Sequence, residues 1–213
     1  MRIGILGGTG PQGRGLTRRF AAAGHEVLIG SRSLERAQEA AADYADVGSV
    51  SGGTNADAAS AELVVVTVPY DGHAALLAEL AEELAGRIVV DCVNPLGFDR
   101  QGPYALPVAA GSAAQEAQQL LPGSTVVAAF HHVSAVLLDD PSVHRIEGDV
   151  LVLGEDRDAV QTVCDLASAI PGARGVYAGR LRLAGQVEAL TANLIAINRR
   201  YQAHAGLLVT DLP

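Results

Sequence analysis

Three features of the sequence predict a doubly wound α/β fold. Short strand-like segments alternate with helix-like ones from the N-terminus onward, those strands are apolar at nearly every position, and a glycine-rich turn joins the first strand to the first helix. A strand apolar on both faces belongs in a parallel sheet, because the helical crossovers that connect parallel strands cover the sheet on both sides. The chain has 213 residues, 49% hydrophobic and 18% charged. That is long enough to bury a substantial core and too apolar to remain disordered.

Taken in order, residues 2–7 (RIGILG) read as the first strand and 8–13 as the turn. Residues 14–23 read as a helix with Leu16, Phe20 and Ala23 at i, i+4 and i+7, stopped by Gly24. A second strand covers 26–30 (EVLIG), and Ser33 is placed to cap a helix over 34–45. The alternation continues with a strand at 62–69 ended by Pro69, a helix at 72–85, a strand at 87–92, a helix near 112–121 and a strand at 124–132. From about residue 145 the texture changes to strand, acidic turn, helix, the short strand ARGVYAG, and one long helical pattern from Leu183 to Ala205.

Composition excludes several functions. Net charge is −9, there is no Lys or Trp, and aromatic residues make up 4%. Such a chain lacks the basic footprint and the stacking platforms of a nucleic-acid binder. Without Lys there is neither a Schiff-base lysine nor a phosphate-loop lysine. No apolar run approaches the ~20 residues that span a bilayer, and the apolar stretch Ile3–Leu6 is too short for a signal peptide. Cys92 and Cys164 show no metal-ligand spacing, and two isolated thiols suit a reducing cytoplasm.

Gly8-Thr9-Gly10-Pro11-Gln12-Gly13 is a GxGxxG hexapeptide placed after a strand and opening a helix. That context makes it a dinucleotide fingerprint and predicts an NAD(P)-binding Rossmann fold. Gly8 is expected to allow the tight turn, Gly10 the approach of the pyrophosphate, and Gly13 close helix–strand packing, with the pyrophosphate on the helix N-terminus. The end of the second strand selects the dinucleotide. An Asp or Glu there bonds the ribose 2′-hydroxyl of NAD; this chain instead has Ser31 and Arg32, with Arg36 in the first turn of the next helix. Two guanidinium groups suit a 2′-phosphate, so NADP is expected over NAD. On this reading residues 1–144 form an NADP-binding Rossmann domain and 145–213 a small C-terminal α/β annex.

Ligands of an open α/β sheet bind beyond the carboxyl ends of its strands. Three strands end in Val68-Pro69-Tyr70-Asp71, Val93-Asn94-Pro95-Leu96 and His131-His132-Val133-Ser134, which are expected to wall the nicotinamide. His131 and His132 point to opposite faces if they lie on a strand. His25 reads as structural, His73 as a surface residue at a helix start, and Asp71 and Asp91 as cap or turn residues. With no Lys there is no Ser-Tyr-x-x-x-Lys carbonyl-reduction arrangement. A pocket of Gly, Pro, Val and Leu suits hydride transfer between two bound rings, where positioning supplies most of the acceleration.

The segments GILGGTGPQGRGL, GHEVLIGSRSLERA, TVPY, VNPL, AFHHVSA and NRRYQAHAGLL are similar, with similar spacing over the whole chain, to those of the NADPH-dependent coenzyme F420 reductases. The resemblance implies reversible hydride transfer between NADP(H) and the 5-deazaflavin coenzyme F420 as co-substrate, in a cytoplasmic homodimer. By position it assigns Thr9–Gln12 to the pyrophosphate and Ser31, Arg32 and Arg36 to the 2′-phosphate. Tyr70, Leu96 and Ala135 go to the nicotinamide end, and Asn94, His131 and Val133 to the deazaflavin, with Gly206, Leu207 and Leu208 closing its pocket. It implies that residues 145–213 complete that pocket and build the dimer face. His131 is then expected to orient the ring without being an essential acid. Two alternatives stay open: another NADP-dependent reductase of similar architecture, acting on an imine or a ferric chelate, and a non-catalytic NADP-sensing protein.

Overall fold

A computed structural model describes residues 1–212. In chain order the elements are β1 (Arg2–Leu6), α1 (Pro11–Ala22), β2 (Glu26–Ser31), α2 (Leu34–Ala42), β3 (Val50–Thr54), α3 (Asn55–Ala59), β4 (Leu63–Val66) and α4 (Tyr70–Glu79). They continue with β5 (Ile88–Asp91), the hairpin strands β6 (Leu96–Asp99) and β7 (Gly102–Ala105), α5 (Ala113–Leu120), β8 (Thr125–Ala128) and α6 (Ala135–Asp139). Last come β9 (Gly148–Gly154), α7 (Arg157–Ser168), β10 (Ala173–Gly179), a single 3₁₀ turn at Leu181–Leu183, and α8 (Ala184–Tyr201).

Eight strands form one sheet in the order β10-β9-β8-β5-β4-β1-β2-β3. The pairs from β3 across to β8 are parallel, β9 runs antiparallel to β8, and β10 is parallel to β9. The apolar strands explain the two-faced core. Every residue of β4 is buried; Leu63 and Val65 join the cluster beneath α1 and α7, while Val64 and Val66 join the one beneath α3, α4 and α5. A period of two on a pleated strand, with both faces covered, requires this continuous apolar run.

Several boundaries and elements differ from expectation. Helix α1 begins at Pro11, three residues early, because proline at the first helical position needs no amide partner and already has helical φ. The positive φ of the tight turn falls on Gly7 (71°), not on Gly8, whose added Cβ would instead lie 3.0 Å from the Ile5 carbonyl oxygen. β3 and α3 escape a hydrophobic-pattern reading because β3 is VSGGT, with little apolar surface. Its Gly52 is required by α2, whose Ala37 backbone would sit 2.3 Å from an added Cβ. The β6/β7 hairpin is likewise short and largely exposed.

β8 ends at Ala128, so His131 and His132 do not lie on a strand; Phe130 turns the chain with φ of 63°, and both imidazoles are buried. Nor do residues after 145 form a sheet of their own. β9 and β10 extend the main sheet, which stays continuous because the antiparallel β8–β9 pair bonds β9 directly to the Rossmann half.

Candidate functional site

The chain winds from β1 outward to β2 and β3, then crosses back to β4 on the other side of β1. The carboxyl ends of β1 and β4 therefore splay apart and open a crevice at this switch point. A cleft with about 2240 Å³ of empty space, open solvent included, lies there.

The end of the cleft at α1 is built from backbone. α1 has no side-chain cap at Gly10 and no acidic residue in its first turn, so its leading N–H groups face the cleft. Gly13 sits behind the turn, where an added Cβ would lie 2.5 Å from Gly8 Cα and 2.8 Å from Thr67 Oγ1. Ser31, Arg32 and Arg36 line the same end; Arg32 and Arg36 are exposed and enter no ion pair among the described residues. Ser33 caps α2 through the Arg36 N–H at 3.3 Å, and its own N–H donates to Ser31 Oγ. These bonds hold the cation-bearing turn in place.

The opposite wall comes from the ends of β4, β5 and β8. Asn94, His131 and Ala135 line it, together with Thr67, Cys92 and Val93. His131 is 4% exposed; both ring nitrogens are buried without a well-aligned hydrogen bond, and the Cys92 and Val93 backbone lies close enough to favour its protonated form slightly. Burial lowers its pKa to about 4, so at neutral pH it presents one donor and one acceptor. Its carbonyl accepts from Asn94 Nδ2 at 2.8 Å and from Thr191 Oγ1 of α8 at 3.2 Å. Gln12 spans the cleft floor by donating to the Phe130 carbonyl at 3.1 Å.

Other expected site residues are not brought together here. Gly8 is buried behind the turn. Tyr70 packs at the start of α4, with its ring centroid 6.2 Å from that of His73. Leu96 is taken up by the β6/β7 hairpin, opposite Ala105. Val133, Gly206 and Leu207 line a second, smaller cavity beside β9, and Leu208 is 72% exposed.

Sequence reasoning missed Asn55, whose Oδ1 accepts from the Gly7 N–H at 3.4 Å and which lines the cleft. It also misplaced His73. That residue is fully buried, with Nε2 2.6 Å from Asp91 Oδ2 and Nδ1 3.3 Å from Glu116 Oε2. Burial lowers the His73 pKa, but the two carboxylates outweigh it and the net shift is upward. Nearby, the Glu188 carboxylate of α8 accepts the Ala113 and Ala114 N–H groups at the start of α5. Its burial, only partly offset by those bonds, pushes its pKa up to about 7. An Asp at the end of one strand and a His four residues after Pro69 were the available signals, but nothing local pairs them.

Comparison with known proteins decides the family. A family model described as "NADP oxidoreductase coenzyme F420-dependent" matches residues 2–95. The F420-dependent NADP reductase of Methanothermobacter thermautotrophicus is 38% identical over 100% of this chain and 96% of its own length. The chain belongs to the F420-dependent NADP reductase family. The enzyme of that name from Methanocaldococcus jannaschii is 36% identical, covering 100% of this chain and 99% of its own. A crystal structure from Arthrobacter sp. FB24, described as a candidate F420-dependent NADP reductase, superposes with a TM-score of 0.82 at 28% identity over the full length of both chains. The relatives behind the alternative reading are more distant or partial. Rat metalloreductase STEAP3 is 31% identical over 91% of this chain but only 37% of its own. A Bacillus cereus imine reductase shares the fold alone, at 18% identity and a TM-score of 0.66.

Proposed function

We propose that the protein catalyses reversible direct hydride transfer between NADP(H) and coenzyme F420, reduced F420 plus NADP⁺ giving oxidised F420 plus NADPH. Membership of the F420-dependent NADP reductase family supports this activity. The observation that carries it here is one continuous cleft with an uncapped helix N-terminus and two unpaired guanidiniums at one end, and an apolar wall bearing the buried His131 at the other.

The N–H groups of α1 hold the pyrophosphate, and Ser31, Arg32 and Arg36 hold the 2′-phosphate. Thr67, Val68, Pro69 and Ala135 exclude water around the nicotinamide. His131 and Asn94 face the second ring, and the neutral His131 imidazole can orient a carbonyl or ring N–H there. Hydride chemistry belongs to the two coenzymes; the protein contributes face-to-face placement.

Residues 1–144 act as the NADP-binding part. Residues 145–213 complete the second pocket, consistent with the Thr191 bond that holds the His131 carbonyl. That half also carries the exposed Tyr177, Ile197 and Tyr201, apolar side chains suited to a homodimer face. A cytoplasmic location fits the two cysteines, both free and buried; among the described residues no helix is long and apolar enough to cross a membrane.

The decisive experiment mixes the protein with NADPH and oxidised F420 and follows the coenzyme's visible absorbance. Bleaching is expected, and its absence on both sides of neutral pH would overturn the assignment. Turnover of an imine or ferric chelate in its place would favour the other reductases.

A further inference from the structure

The carboxyl ends of β4, β5 and β8 meet at the ring end of the cleft, where the ladder closes one residue past β5 and β8: the Cys92 N–H donates to the Val66 carbonyl at 3.3 Å and the Ala129 N–H to the Asp91 carbonyl at 3.0 Å. A chain of buried side-chain bonds joins them. His73, on the first turn of α4 after β4, is fully buried against Asp91, the last residue of β5. Asp91 uses its other oxygen, Oδ1, to accept the Val93 N–H at 3.0 Å, fixing the turn that carries Val93 and Asn94 into the cleft. Asn94 then bonds the carbonyl of His131 beyond β8, and Thr191 of α8 bonds the same oxygen. The other nitrogen of His73 faces Glu116 of α5, whose N-terminus Glu188 of α8 holds. With carboxylate oxygens against both ring nitrogens, His73 satisfies the pair only by donating from both. Of the side chains that make these bonds, Asn94 lines the cleft, whereas His73, Asp91, Glu116, Glu188 and Thr191 do not, so ligand contact does not explain those five.

We propose that His73 and Asp91 are positioning residues for hydride transfer: through Val93, Asn94 and the His131 carbonyl they set the wall on which the second ring rests, and so the spacing of the two rings. This rests on the hydride-transfer reading above. Reacting atoms must come to about 3–3.5 Å in alignment, and displacement of a wall by about an ångström can cost about a hundredfold in rate. The phosphate end, held by α1 and the arginines, touches this segment through the Gln12 bond to the Phe130 carbonyl and makes no side-chain bond to His73, Asp91 or Asn94. Loosening the tie therefore slows transfer and leaves NADPH affinity in place.

The test uses the intact protein and three variants: His73→Leu, Asp91→Asn and the near-isosteric Thr191→Val. NADPH affinity is read from nucleotide fluorescence, and the transfer step from single-turnover bleaching of F420 with NADPH and with NADPH deuterated at the transferred position. For His73→Leu, single-turnover transfer is expected to fall at least tenfold with NADPH affinity changed less than twofold, and the steady-state deuterium isotope effect to rise. Thr191→Val shows the same pattern more weakly and carries the test if His73→Leu does not fold. Asp91→Asn keeps an acceptor for the Val93 N–H and retains most of the rate. Parallel losses of NADPH affinity and turnover, an unchanged transfer rate, or an Asp91→Asn loss as deep as that of His73→Leu would overturn the proposal. Wild-type protein that fails to bleach F420 would overturn the functional reading itself, which keeps the two failures distinct.

Discussion

The two ends of the cleft are built on opposite principles. At the end proposed for the phosphates, the lining residues are contiguous: Gly7–Gly13 and Ser31–Arg36 are each one turn feeding one helix, and they present backbone N–H groups and exposed guanidiniums. At the ring end, residues from β4, β5, β8 and α8 meet only in the folded protein, and buried side chains hold them. A local anion site tolerates a soft, solvated rim, because charge attracts at a distance. A site that must align two rings needs several loops locked together, because rate depends steeply on geometry.

This contrast can be broken first at the phosphate end. In Gly13→Ala the new methyl meets Gly8 Cα at 2.5 Å and Thr67 Oγ1 at 2.8 Å, where backbone must move. Loss of NADPH binding or of folding itself is expected, read by fluorescence titration and circular dichroism; unaltered binding would show that the turn has slack.

Next in size is a stability effect at the ring end. Glu188 is raised from an ordinary 4.5 to about 7 in the fold. A raised folded value means that the associated stability is fully present below 4.5 and is lost as pH rises through about 7. Relative to Glu188→Gln, wild-type stability should therefore fall by up to about 3 kcal/mol across that window, at about 1.4 kcal/mol per unit. Urea unfolding at pH 5 and pH 8 measures it, and parallel profiles for the two proteins would contradict it.

The arginines come third. Arg32→Ala or Arg36→Ala should each weaken NADPH about tenfold, since a charge-assisted bond contributes roughly 1.5–3 kcal/mol, while NADH affinity stays unchanged. Equal losses for both nucleotides would refute the 2′-phosphate assignment. The smallest effect is expected at His131. His131→Asn should raise the KM for F420 several-fold, as loss of one neutral hydrogen bond of about 1 kcal/mol predicts, with NADPH affinity intact. Abolished turnover with unchanged F420 binding would make His131 an acid rather than an orienting group.

Much of this was legible in the order of residues. The apolar runs at β1, β2, β4, β5 and β8 read as parallel strands, and GxGxxG read as the turn between strand and helix that opens the cleft, because both follow from local periodicity and backbone geometry. β3 was hidden because its glycines exist to admit α2, a partner remote in sequence. His73 looked like a surface residue for a related reason: its helix starts at an exposed Pro69, and only Asp91 and Glu116, folded against it from β5 and α5, put carboxylates on both its ring nitrogens and raise its pKa against the effect of burial. Gly206–Leu208 run beside β9, where Asp149 donates its N–H to the Leu207 carbonyl at 2.7 Å and accepts from the Val209 N–H, a pairing no local pattern encodes.

By itself the sequence determined the fold class and pointed to the glycine-rich turn and the two arginines proposed to hold NADP, since each signal rests on residues within a dozen positions of one another. Only the tertiary structure decided how the ring end is assembled, that the His131 pKa is lowered and the His73 pKa raised, and that the last two strands join the main sheet. Those outcomes depend on desolvation and on bonds across 18 to 75 positions of sequence, and such distances are closed by packing and not by pattern.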